Sequence, residues 1–360
     1  MSNIRYKRIP LEKLHVEVER MMFGTANGAT EIHAIVHLMP DFPADGDAVA
    51  ALLEAKFALE MFLRARTLHG RLLLGDKAMQ RPLGDIGHDL AAIGQQPLDG
   101  TAAALWLWMT QGAPNAAYHH SFGCGESSAT TLPLLENYRK RLADKGLTLA
   151  DNCLRTWFFM RDIDHNYKEM VDARREFFAA NGLTPATHFI ASTGINGNPL
   201  CNEDIVQLET YTAEGLNPAQ ISYLKGSSHL NPTAEYGVTF ERGTRVEYGD
   251  RCHLIISGTA SIDNRGQILH PDDAKMQTRR MVENVRVLLD EGGASANDMM
   301  HAIVYVRRPE DYATVRRVLD ALLPDVPKVI VHAPVCRPGW LVEMECIAVT
   351  NNTNDAYAPF

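Results

Sequence analysis

The chain has 360 residues, 46% of them hydrophobic and 22% charged, and a formal net charge of −9. That length supplies two or three cores. The acidic total excludes non-specific nucleic-acid binding, which needs a basic surface, and obliges any anionic substrate to be drawn in by a locally basic pocket. The six cysteines (124, 153, 201, 252, 336 and 346) form no C-x-x-C pair, so a zinc cluster is not expected. A chain this long needs no disulfide staples, and reduced thiols in the cytoplasm are the default. Residues 1–14 lack the apolar core of a signal peptide, and no apolar run approaches the length of a membrane span.

In chain order, residues 31–38 read as a strand and 47–68 as a helix with a broad apolar face. The most apolar stretch, 102–109, has the length of a buried strand. Gly112 to Pro114, running on to Gly123 and Gly125, marks a boundary. His119, His120 and Cys124 lie in that region, but their spacing matches no recognised metal-ligand pattern. The first 120 residues leave two readings open: a worn copy of the unit repeated further along the chain, or a separate cap.

An internal repeat organises the rest. Residues 134–151 (LLENYRKRLADKGLTLAD) align without gaps to 281–298 (MVENVRVLLDEGGASAND). Glu136, Asn137, Arg139, Leu142, Gly146 and Asp151 match Glu283, Asn284, Arg286, Leu289, Gly293 and Asp298. Each copy runs as an amphipathic helix, a glycine cap, a strand (154–160 or 302–306), and a second helix. The second stripes are Tyr167, Met170, Val171, Arg174, Phe177 and Phe178, and Tyr312, Val315, Val318, Leu319 and Leu322. Closing strands fall at 188–192 in one copy, and at 328–332 and 341–350 in the other. The pattern predicts an α/β (α+β) protein with helices on one face of a mixed sheet, duplicated. The expected division is 1–125, 126–230 and 231–360.

The last strand carries the strongest chemical signal. In LVEMECIAVT, Val342, Met344, Cys346 and Ala348 share one face, while Glu343 and Glu345 share the other with aliphatic neighbours. Two readings stand: an edge strand whose acids face water, or a carboxyl in a partly desolvated cleft, with a raised pKa suited to proton transfer. The preceding turn, VCRPGW, brings Cys336 and Arg337 to the same unit, and Arg suits a bidentate grip on a carboxylate. Cys336 also reads as a small buried hydrophobe, and Arg337 as a partner of Glu343 or Glu345. A second apolar strand, 253–262, ends in Ser257, Gly258 and Thr259, where backbone N–H groups can approach an anion. Tyr236 and Arg242 lie upstream, and Arg307 ends the strand after the repeat helix. No phosphate-binding loop, dinucleotide fingerprint or zinc-protease motif is present in the sequence, and no cofactor or metal is expected.

SGTASI, Gln277, Glu283-Asn284, VYVR, Asp311-Tyr312 and VCRPGWLVEMECIA together resemble the RidA/YjgF family over residues 251–350. The resemblance implies a chorismate-mutase-like fold, two helices on one sheet face, and homotrimers with pockets between neighbouring units. It gives Glu343 the place of the family's functional Glu. RidA-type enamine/imine deaminases also use an Arg about fifteen residues earlier, where this chain has Lys328, Val329 and Ile330. The chorismatase branch is more similar still, in the C-R-P…L-V-E spacing, Y-G-x-x-F-x-R before SGTAS, and Arg155–Trp157 in an R-x-W strand. It implies Glu343 as the acid that cleaves an enol ether, and Cys336 as typical of members that release 3-hydroxybenzoate. Arg242, Arg307 and Arg337 would then hold substrate carboxylates, with Tyr236 and residues 257–259 positioning the ring. The alternatives are an enamine deaminase and a non-catalytic, metabolite-binding trimer.

Overall fold

The computed structural model describes residues 4–25, 28–112, 117–122, 130–201 and 203–360, with 117–122 and Tyr236 described by backbone alone. His119, His120 and Cys124 therefore fall outside the described side chains. The first sheet is built from β1 (Ile4–Leu11), β2 (Val16–Gly24), β3 (Thr30–Leu38), β4 (Arg66–Leu74), β5 (Leu90–Gly94) and β6 (Ala103–Thr110), with α1 (Ala48–Leu63) and the four-residue α2 (Asp76–Met79) in its connections. The second has β7 (Ala117–Phe122), β8 (Cys153–Met160), β9 (Ala191–Asn196) and β10 (Val206–Ala213), with α3 (Thr131–Ala143), α4 (Leu149–Asn152) and α5 (Ile163–Ala180). The third has β11 (Ile221–Leu224), β12 (Gly243–Glu247), β13 (Arg251–Ala260), β14 (Met299–Val306), β15 (Lys328–His332) and β16 (Val342–Asn351), with α6 (Ala274–Glu291) and α7 (Tyr312–Leu322).

The sheets repeat one plan. The first runs β1-β2-β3-β6-β4-β5, the third β11-β12-β13-β16-β14-β15, and the second keeps the inner four as β7-β10-β8-β9. In each, the last strand in sequence inserts centrally, and one parallel pair (β4–β5, β8–β9, β14–β15) joins the far edge. This is the mixed α+β fold expected. The N-terminal region, too, follows this plan, with the strand order of the third sheet.

Alternation on each strand divides inside from outside. On β6, Leu105 and Leu107 pack beneath α1, while Trp106 and Trp108 point into the centre of the molecule. The three inner faces meet there, tied by buried ion pairs between units: Arg71 to Glu209 at 2.7 Å, Arg155 to Glu345 at 2.7 Å, and Arg251 to Glu31 at 2.9 Å. First to second, second to third and third back to first, these contacts close a ring within one chain.

Several boundaries differ from expectation. The helix over 47–68 begins as predicted, with Asp47 capping Ala50 N–H, but stops at Leu63 because Arg64 turns left-handed (φ 49°) and β4 starts at Arg66. No Gly or Pro stands between the helix and β4, so nothing in the sequence punctuated the change of period. The strand expected at 188–192 starts later, at Ala191. β7 pairs with β10, and β11 with β12, so the second and third sheets begin before residues 126 and 231. Cys201 is disulfide-bonded, against the expectation of reduced thiols, while Cys153, Cys252, Cys336 and Cys346 are free. Cysteine connectivity depends on tertiary proximity, which spacing does not encode.

Candidate active site

β16 is hydrogen-bonded to β13 on one side and β14 on the other, so it is a central strand. Its alternation holds as read, but its acids do not face water. Glu343 is 5% exposed and Glu345 3%, because the second unit covers the inner face of the third sheet. The edge-strand reading is thereby overturned.

Glu343 lies at the base of a pocket between the second and third units. The second unit contributes Tyr167 and Arg174 from α5, and Ser192, Thr193 and Gly194 from β9. The third contributes Phe240, Arg242 and Gly258, together with Cys336, Arg337 and Trp340 of the turn before β16. Gly258 lies directly over the acid: a Cβ there would overlap Glu343 Oε1, so only glycine lets the strand approach. Burial raises the Glu343 carboxyl to about 8, reinforced by the charge of Glu345 and partly offset by Arg155 and Arg242. It therefore carries its proton at neutral pH. Cys336 is pushed up to about 12 by burial and by Glu343, so it is a neutral thiol and not a thiolate nucleophile.

The arginines divide into two groups. Arg242 is buried, and its Nη2 donates to Asn231 O (3.1 Å) and Oδ1 (3.2 Å), which aims the guanidinium at the pocket wall. Arg174 is held by Thr239 (3.2 Å) and Ser192 (3.3 Å), and Arg337 packs over the Trp340 ring at 5.3 Å. Arg307 does not line the pocket. It donates to the carbonyls of Val335 and Trp340 and pairs with Asp164 of α5 at 2.9 Å, so it clamps the 335–340 turn to the second unit. Ser257 and Thr259 are fully buried behind Gly258. Ser257 Oγ accepts from Ser192 N–H (2.9 Å) and donates to Glu241 O (2.6 Å), stapling β13 to β9, and Thr259 donates to Ser257 O (2.9 Å). The Tyr236 side chain lies outside the described residues. Of the residues singled out in the sequence, Glu343, Cys336, Arg337, Arg242 and Gly258 come together at the pocket.

Sequence reasoning missed the second unit's share. Tyr167 and Arg174 were visible on a helical stripe assigned to core. An Arg on an otherwise apolar stripe was the available signal, since a buried Arg is rare unless paired.

Only one of the three equivalent strand positions carries this acid. A bulge on β4, β8 and β14 aligns His69, Arg155 and His301. Counting from it, the strand position of Glu343 is occupied by Ala104 in the first sheet and Gln207 in the second, opposite Leu73 and Phe159 as Glu343 is opposite Tyr305. Gln207 Nε2 donates to Ala92 O and to Glu209, both at 3.2 Å. Neither replacement can supply a proton to a substrate.

Comparison with known proteins agrees with this architecture. The family model described as Endoribonuclease L-PSP matches residues 246–350. A RutC family protein of Pyrococcus abyssi (strain GE5 / Orsay) is 32% identical over 97 residues, covering 26% of this chain and 76% of that protein. Among solved structures, a chorismatase shares the fold with a TM-score of 0.61 at 22% identity, over 78% of this chain and 93% of that one. The chain belongs to the RidA/YjgF superfamily, and its three-unit fold resembles that of a chorismatase.

Proposed function

We propose that this chain cleaves the enol ether of chorismate, or of a closely similar dicarboxylate, to release pyruvate. The observation that carries this reading is Glu343: a carboxyl protonated at neutral pH, buried in a pocket with Arg174, Arg242 and Arg337, inside a chain of net charge −9. An enol ether needs a proton on its terminal methylene carbon, and a neutral buried carboxyl is suited to deliver it. Positive charge then develops at the ether carbon, beside the glutamate left behind. Water adds to that carbon and loses a proton. The hemiketal formed breaks its bond to the ring oxygen, which takes up a proton, leaving pyruvate and a ring alcohol. Direct aromatisation to 3-hydroxybenzoate has the same pyruvate stoichiometry and consumes no net water. The arginines bind the two carboxylates and orient the methylene carbon toward Glu343.

The deaminase reading finds less support. Lys328, nearest in sequence to the expected Arg, donates its Nζ to Leu323 O (3.0 Å) and Val326 O (3.4 Å), away from Glu343. The test is pyruvate release from chorismate by the purified chain, with Glu343→Gln alongside. Loss of a general acid lowers turnover by about 10²–10⁴-fold, and near-complete loss in the variant is expected. Ammonia release from 2-aminoacrylate without pyruvate from chorismate would favour a deaminase. Thermal stabilisation by chorismate without product would favour a binding protein.

A further inference from the structure

Glu343 and Glu345 are two residues apart on one face of β16, close enough that both cannot ionise freely. Their surroundings are unequal. Glu345 accepts from Arg155 Nη2 (2.7 Å), Trp157 Nε1 (2.9 Å) and Thr193 Oγ1 (2.5 Å), all from the second unit. Arg71 of the first unit stands 3.6 Å away. These donors are 2% exposed or less, so the contacts are shielded from water. No hydrogen-bond donor among the described residues reaches Glu343. Among the described residues, the hydrogen bonds to this pair of carboxyls are thus directed at Glu345.

We propose that Arg155 is a positioning residue: with Trp157 and Thr193 it pins Glu345 as the ionised member of the pair and so assigns the shared proton to Glu343. Arg155 is not among the residues lining the pocket, and it acts through Glu345. A charge supplied by the second unit thereby sets the protonation of an acid in the third. The other charged or titratable groups around the pair are Arg71 of β4, Tyr167 and Arg174 of α5, Arg242 before β12, His301 and Tyr305 of β14, Cys336 and Arg337 of the turn, and Cys346 of β16. Burial holds the Tyr305 hydroxyl and the Cys336 and Cys346 thiols up and the His301 imidazole well below its ordinary range, so these four groups stay neutral at neutral pH.

This inference deepens the proposed function and rests on Glu343 as the acid, but its test does not depend on turnover. Infrared spectroscopy of protein with isotope-labelled glutamate follows the protonated-carboxyl C=O band against pH, with Glu343→Gln identifying the band. Wild type should lose it near pH 8. Glu345→Gln removes the countercharge and leaves Arg155 facing Glu343, so the band should disappear at least one pH unit lower. Trp157→Phe keeps the ring and removes one donor to Glu345, which opens Glu345 as a second site for the shared proton, so the pair should hold that proton, and the band persist, to higher pH. Where pyruvate is released, the high-pH limb of kcat/KM should move in the same two directions. At pH above both midpoints, a one-unit shift means about a tenfold loss of the protonated form. A merely structural role would lower turnover without moving the limb. An unmoved band in both variants, or a wild-type band that vanishes in Glu345→Gln and survives in Glu343→Gln, would overturn the proposal. The absence of pyruvate with the band behaving as described would refute the proposed reaction alone.

Discussion

A buried carboxyl that keeps its proton costs the protein stability in a definite pH window. The Glu343 carboxyl is raised to about 8, whereas in the unfolded chain it titrates near the ordinary value of 4.5. Between those values the folded state holds a proton that the unfolded state has released. Stability therefore falls as pH rises through the window, by up to ~1.4 kcal/mol per pH unit. Glu343→Gln removes the group and the penalty with it. The melting temperature of the variant should thus gain on wild type from pH 5 to pH 8, as read by calorimetry. A constant difference across that range would contradict the raised carboxyl. At this scale the sequence was half legible. Alternation placed Glu343 and Glu345 on one face of their strand. It did not reveal what covers that face, because Arg155, Trp157 and Thr193 lie more than a hundred residues away and meet the acids only across a unit boundary.

Between strands, the site depends on a close approach that one methyl group can block. Gly258→Ala would bring a Cβ onto Glu343 Oε1. It should displace the acid and lower turnover at least about tenfold, with a stability loss of about 1–3 kcal/mol from overpacking. Wild-type turnover with an unchanged melting temperature would remove Gly258 from the account. The apolar stripes of α3, α5, α6 and α7 were readable because each packs on one side of a sheet. The end of α1 was not, since no Gly or Pro marks the switch at Arg64. Arg307 read as a substrate ligand from its position after the VYVR strand. Its neighbours in space, Val335 O, Trp340 O and Asp164, make it a clamp on the turn instead.

For the molecule as a whole, three copies of one plan close on themselves within a single chain. The sequence showed two. The first copy has only the short α2 where the others have α5 or α7, so the helix pair that made the repeat detectable is missing there. The buried pairs Arg71–Glu209, Arg155–Glu345 and Arg251–Glu31 hold unit to unit, an arrangement for which the resemblance implied three separate chains. We therefore expect light scattering to give a single chain of 40.0 kDa. A stable species of three times that mass would show that further contacts are used.

The central claim is that Glu343 delivers the proton that cleaves an enol ether. It is tested most directly by following pyruvate release from chorismate between pH 6 and 9, for wild type and Glu343→Gln in parallel. The predicted result is release by wild type that declines above pH 8, as the acid loses its proton, and near-complete loss in the folded variant at every pH. Comparable release by the variant, or none from the folded wild type, would contradict it.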